Sequence, residues 1–186
     1  ARKRAPEVTD AQRAAFTDAE AILTLNLPFD MDKLAPKLRW VQSIGAGVAQ
    51  LQSAGLEINN VTLTNAAGTA ATPIAEFVLA RLLEQWKRLP LYADMQREQN
   101  WTPTYGRDLS GSTLGIVGHG ASGAAVAKRA KALGMHVLAT KRTLTADLKD
   151  PSVDRFYAFN DMQGLLAESD AVVLAAPESA ETLNLF

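Results

Sequence analysis

The sequence predicts an α/β protein, with a doubly wound parallel sheet in the second half joined to a smaller α/β unit in the first. Two observations predict it. A strand-like run, Leu114, Ile116 and Val117, meets Gly118, Gly120 and Gly123 in G-x-G-x-x-G spacing and passes into the helical pattern of Ala124, Val126, Ala127, Ala130 and Leu133. Apolar runs of strand length then alternate with helical stretches up to Ala176, the alternation that builds a parallel sheet covered by helices.

In chain order, Ala1 to Thr17 is charged, broken by Pro6 and without a strand pattern, so the first unit is expected to begin before it. Ala21 to Leu27, ended by Pro28, and Val61 to Thr64 are compact apolar runs that suit buried parallel strands. Leu38 to Ile44, closed by Gly45-Ala46-Gly47, makes a third. Thr72 is expected to cap a helix with Pro73 at its first position. Ile74, Phe77, Val78, Arg81, Leu82 and Gln85 follow at helical spacing as far as Pro90, where the helix must bend or restart, and Leu91 to Gln99 forms a second piece. With Trp86, Tyr92 and Trp101, this arm is either a linker or a surface that buries itself against a second subunit. Beyond the glycines, strands are expected at Met135 to Thr140, Arg155 to Ala158 and Asp170 to Ala176. Val172, Val173 and Leu174 run without a polar break, as in a strand covered on both faces. In the usual strand order this strand would be an edge if the chain stopped at Phe186, so the natural chain is expected to continue.

The glycines carry the first functional expectation. Gly118 permits the turn, Gly120 lets backbone approach a pyrophosphate, Gly123 lets helix and strand pack closely, and free N–H groups at the helix start face the phosphates. Such a motif between a strand and a helix predicts a dinucleotide site. A site that selects NAD places Asp or Glu at the end of the next strand, about 20 residues on, to hold the ribose hydroxyls. Here that place reads Thr140-Lys141-Arg142-Thr143, two cations and two hydroxyls that suit a 2′-phosphate, so NADP is favoured over NAD.

Composition narrows the classes. A hydrophobic content of 47% supports a packed core, and a formal charge of −1 without a basic block gives no footprint for nucleic acid or an anionic membrane. No run is long enough for a membrane span, the sequence holds no Cys, and a cytoplasmic protein acting on small molecules is expected. His119 reads as a surface imidazole near the phosphates and His136 as a strand residue, with no metal set between them. Glu57, Glu76 and Asp108 read as helix ends and surface charge, and no catalytic constellation stands out.

Several ordered blocks carry a family likeness: Leu38 to Val48, Asn65 to Gly68, Ile74-Ala75-Glu76, Leu109 to Gly118, Ala132 to Met135 and Pro177 to Phe186. Together they resemble the D-isomer-specific 2-hydroxyacid dehydrogenases, NAD(P)-dependent 2-ketoacid reductases, over most of the chain. The resemblance implies a Rossmann-type doubly wound domain and a smaller flavodoxin-like substrate domain, with substrate in the cleft between them. It divides the sequence into a partial substrate domain at 1–72, a helical arm at 73–101 and a partial dinucleotide-binding domain at 102–186. By position, the N–H groups of Ala46 and Gly47 resemble the family's clamp on the substrate carboxylate. Ile74 resembles the residue packed on the nicotinamide, and Ala121 and Ser122 face the pyrophosphate where the family often has Arg and a branched apolar residue. Ala176, Pro177 and Thr182 match the segment lining the adenosine side, and Lys141, Arg142 and Thr143 stand where the cofactor selector stands.

The family's catalytic Arg, Glu and His follow the block that ends here at Phe186, and its chains begin before Ala1, so the sequence is expected to be truncated at both ends. The implied activity is hydride transfer between NADP(H) and a small 2-keto or D-2-hydroxy acid of glyoxylate or hydroxypyruvate type, in a homodimer. The rivals are an NAD-linked relative such as a formate or phosphoglycerate dehydrogenase, and a non-catalytic nucleotide-sensing protein of the same fold.

Overall fold

The computed structural model describes residues 7–56, 60–145, 148–177, 179 and 181–185. The chain divides into two compact units, one running to Thr69 and joined by the stretch from Pro177 onward, the other Ala70–Ala176.

The first unit opens with helix α1 (Asp10–Asp18), whose start is fixed by a reciprocal cap in which Thr9 and Gln12 each bond the other's backbone N–H. Strands β1 (Ala21–Thr24), β2 (Trp40–Ser43) and β3 (Thr62–Thr64) form a parallel sheet in the order β1-β2-β3. The short helix α2 (Met31–Leu34) and a 3-10 turn over Ala49–Ala54 lie along the connections. Ile22 and Val41 are paired in register and face a core of Leu27, Met31, Leu38, Leu51 and Ala54. Their neighbours Leu23 and Trp40 point to the opposite face and stand 70% and 47% exposed. The expectation of strands buried on both faces therefore fails for β1 and β3: an apolar run states that a strand can be buried, whereas cover depends on what packs there.

In the second unit, α3 (Ala71–Trp86) and α4 (Leu89–Arg97) precede β4 (Thr113–Val117), α5 (Ala121–Ala132), β5 (His136–Lys141), β6 (Arg155–Ala158), α6 (Met162–Glu168) and β7 (Ala171–Leu174). The parallel strands lie in the order β6-β5-β4-β7. The chain thus winds outward from β4 and then returns to its other side, the reversal that opens a crevice at the carboxyl ends of β4 and β7. Leu114, Ile116 and Val117 of β4 and Val137 and Ala139 of β5 are fully buried, as central strands with helices on both faces must be. Asp170 ties the unit's lower edge, accepting from Thr113 N–H at 2.8 Å and pairing with Arg107 at 2.5 Å, while Arg107 stacks over Trp86.

The arm departs from expectation in two ways. Helix α3 starts earlier, with Ala70 rather than Thr72 at its N-cap, and Pro73 sits in the first turn, where its missing N–H leaves no bond unmade. Its inward stripe is Ala75, Val78, Leu79, Leu82, Leu83 and Trp86, packed with the core around α5, so α3 is part of the second unit; Ile74 and Phe77 face outward. The restart at Pro90 follows the sequence: Arg88 turns into the left-handed region and α4 begins at Leu89. Strand β7 also differs, since Val172 and Leu174 are 41% and 58% exposed; among the described residues only β4 pairs with it. No helix of the described residues is long and apolar enough to cross a membrane.

Candidate functional site

The glycine turn leaves the carboxyl end of β4. Gly118 has φ +100°, and a Cβ there would come within 2.6 Å of Ala176 N and 2.7 Å of its Cα, so the turn needs both the left-handed backbone and the missing side chain. A Cβ on Gly123 would lie 2.2 Å from the Gly118 carbonyl oxygen, which is the close packing of α5 on β4. Above Gly120 the space is open, with no atom within 4 Å of where a Cβ would stand. No side chain caps α5, so the N–H groups of Ala121, Ser122 and Gly123 start the helix without intrahelical partners. An open approach over Gly120 and uncapped donors beside it fit a pyrophosphate.

Thr140, the residue before Lys141, holds this turn in place. Fully buried, it accepts the Gly118 N–H on Oγ1 at 3.0 Å and the His119 N–H on its carbonyl at 3.1 Å. Its hydroxyl is therefore engaged inside the fold and does not join Thr143 in a phosphate cradle. Lys141 is half-buried, Arg142 and Thr143 are exposed, and neither cation forms an ion pair among the described residues. A half-buried ammonium and an exposed guanidinium outside any ion pair among the described residues suit a doubly charged phosphate.

His119 is not a surface imidazole. Its side chain is only 8% exposed, Nε2 makes no hydrogen bond, and the ring packs edge-on against Phe156 with centroids 5.1 Å apart. Burial lowers its pKa below the ordinary value; Asp150, whose Oδ2 lies 3.4 Å from Nε2, pulls the other way, and Lys141 adds to the lowering. Asp150 is a member that the sequence window around residue 140 missed, because it returns to the turn from a later loop. Glu76 and Asp108 are surface partners of Arg129 and Lys87, His136 is an exposed strand residue, and Glu57 lies outside the described residues. No group of three or more His, Asp or Glu that could hold a metal occurs among the described residues.

In the first unit, Ala46 and Gly47 lie exposed in the loop after β2. Every carbonyl of the loop is occupied: Gly45 O accepts from Ala66 N–H, Ala46 O from Asn65 Nδ2 at 2.8 Å, and Gly47 O from Gln50 Nε2 at 3.2 Å. The amides of Ala46 and Gly47 make no hydrogen bond among the described residues, so donors face outward and acceptors inward. That arrangement suits a carboxylate. Asn65, Gln50 and Ser43 are positioning residues that sequence reasoning passed over. Of the remaining candidates, Ile74 is exposed near the start of α3 and Ala176 is half-buried beside Gly118. Pro177 is exposed, and Thr182 donates its hydroxyl to the Pro177 carbonyl at 2.6 Å, bracing its own loop.

Residues 79–186 match the family model described as D-isomer specific 2-hydroxyacid dehydrogenase, NAD binding domain. The chain belongs to this family. Among D-isomer specific 2-hydroxyacid dehydrogenases and their relatives, it is 32% identical to glyoxylate/hydroxypyruvate reductase B of Klebsiella pneumoniae (strain 342), over 97% of this chain and 58% of that protein. D-lactate dehydrogenase from Aquifex aeolicus, solved with NAD and lactic acid, superposes with a TM-score of 0.79 at 25% identity, over 91% of this chain and 52% of that one. A D-isomer specific 2-hydroxyacid dehydrogenase from Xanthobacter autotrophicus Py2, in complex with NADPH and MES, gives a TM-score of 0.74 at 27% identity, over 90% and 52%. The chain spans a little over half the length of these relatives.

Proposed function

We propose that the protein is an oxidoreductase moving hydride between NADP(H) and a small 2-keto or D-2-hydroxy acid of the glyoxylate or hydroxypyruvate type. The observation that carries this is the glycine turn tied through Thr140 to two unpaired cations, Lys141 and Arg142, in a chain of this dehydrogenase family. The similarity to a protein named for glyoxylate and hydroxypyruvate reduction supports the substrate class.

The nicotinamide ring supplies the hydride. The chain's own residues bind and orient: uncapped N–H groups at Ala121, Ser122 and Gly123 take the pyrophosphate, Lys141, Arg142 and Thr143 the 2′-phosphate, Ile74 the nicotinamide face, and Ala176, Pro177 and Thr182 the adenosine side. Amides of Ala46 and Gly47 hold the substrate carboxylate, so residues up to 72 serve substrate, 73–101 form the arm, and 102–186 serve cofactor. A homodimer in the cytoplasm is part of the proposal; exposed Phe77, Leu89, Leu91 and Trp101 supply apolar surface that a second copy would cover.

The test is oxidation of NADPH and NADH by the full-length protein with glyoxylate and with hydroxypyruvate, alongside direct binding of both cofactors. Turnover with NADPH preferred supports the proposal. Turnover with NADH alone identifies an NAD-linked relative, and tight cofactor binding without turnover of either acid identifies a nucleotide-sensing protein; each result overturns it.

A further inference from the structure

The selector of this chain lacks an acid at the end of β5, yet the fold brings one there from elsewhere. Asp150 stands in the loop before β6, and its carboxylate accepts both the Ser152 N–H at 2.8 Å and the Ser152 hydroxyl at 2.5 Å. That double bond from one residue fixes its direction. On the other side Oδ2 lies 3.4 Å from the buried Nε2 of His119, whose own N–H is bonded to the carbonyl of Thr140, the residue before Lys141. The acid therefore stands within 3.4 Å of a side chain whose backbone is tied to the same strand end as the selector cations.

Its charge is fixed as well. Ser152 chiefly, with smaller help from His119 and Lys141, holds the Asp150 carboxyl below its ordinary pKa, so it is an anion at neutral pH. Lys141 lies near enough to help lower this carboxyl's pKa, so a 2′-phosphate drawn to Lys141 meets the field of the anion as well.

We infer that Asp150 sets cofactor preference: placed beside the base of the Lys141–Thr143 selector, its carboxylate opposes a 2′-phosphate there, and the site takes NAD(H) as well as NADP(H). The inference rests on the reading of Lys141–Thr143 as the selector. Asp150 does not touch the reacting atoms; it acts by charge on the far end of the cofactor.

The experiment is calorimetric titration of the protein with NADP+ and with NAD+, for the wild type, Asp150→Asn, and the double variant Lys141→Glu with Arg142→Glu. Asn keeps an oxygen for Ser152 and removes the charge; loss of one anion near a doubly charged phosphate is expected to tighten NADP+ by about tenfold and leave NAD+ nearly unchanged. An unchanged ratio in Asp150→Asn, with NADP+ binding still lost selectively in the double variant, overturns the inference and leaves the selector standing. Equal weakening of both cofactors in the double variant, or no binding of either by the wild type, overturns the selector reading and this inference with it. Should circular dichroism show Asp150→Asn unfolded, Asp150→Ser is titrated instead and must shift the ratio in the same direction.

Discussion

The two loops proposed to hold anions are built by opposite means. In the Gly118–Gly123 turn the backbone itself is the structure: a left-handed residue, contacts too close for a Cβ, and N–H groups anchored on Thr140. In the Gly45–Gly47 loop, side chains do the work: Ser43, Gln50 and Asn65 occupy carbonyl or amide groups, and a Cβ on Gly47 would meet nothing within 4 Å. Glycine is a steric necessity in the first and largely a convenience in the second. The difference follows from their settings, because the first lies among strands buried on both faces and the second at the end of a sheet with one open face.

Substitution at Gly118 is the most severe way to break this contrast. Gly118→Ala forces a Cβ into the Ala176 backbone at a φ that L side chains rarely adopt, and is expected to cost about 4 kcal/mol or more. Chemical denaturation would read this directly, and a loss under about 1 kcal/mol would show that the β4–β7 approach is looser than described.

Acid should separate the two loops next. The buried His119 imidazole titrates below its ordinary value in the fold, so the unfolded chain takes up the proton first. Its contribution to stability is complete above about pH 6.5 and falls as the pH drops below that, down to the lowered folded value. Ser43, Gln50 and Asn65 do not titrate. The melting temperature is expected to fall between pH 7.5 and 5.5, and the fall should shrink in His119→Phe. A wild-type melting temperature that is flat across this window would contradict the burial of the imidazole.

The smallest effects sharpen the comparison from the other side. Asn65→Ala frees the Ala46 carbonyl and is expected to cost about 1 kcal/mol while weakening carboxylate binding several-fold. Gly47→Ala, in open space and without a left-handed φ, is expected to change stability by about 0.5 kcal/mol or less. If Gly47→Ala proved the worse of the pair in thermal denaturation, the loop would depend on its backbone after all.

What the sequence disclosed depended on how local each cause is. The glycine motif, the strands of the second unit and the restart at Pro90 are set by neighbours in sequence, and they were legible. The reciprocal cap between Thr9 and Gln12 was equally local and went unread, since the charged stretch around it drew attention to what it lacked. Cover on β1, β3 and β7 was not legible, because an apolar run does not say what packs on it. Nor was the fate of His119: a residue between two glycines has no periodicity, and its burial depends on Phe156 of β6 and on Asp150 in the loop before that strand. The free amides of Ala46 and Gly47 came from family likeness, and only the hydrogen bonds of Asn65 and Gln50 gave that likeness a physical cause.

Thr140 has a consequence for how this protein can change. Because its side chain and carbonyl both serve the glycine turn, the fold's hold on this stretch weakens after that residue, and Arg142 and Thr143 are left exposed. If the proposed selector is right, support and reading fall to adjacent positions at and just after the end of one strand. A lineage, or an engineer, can rewrite the reading positions repeatedly while the scaffold beneath them goes on unaltered.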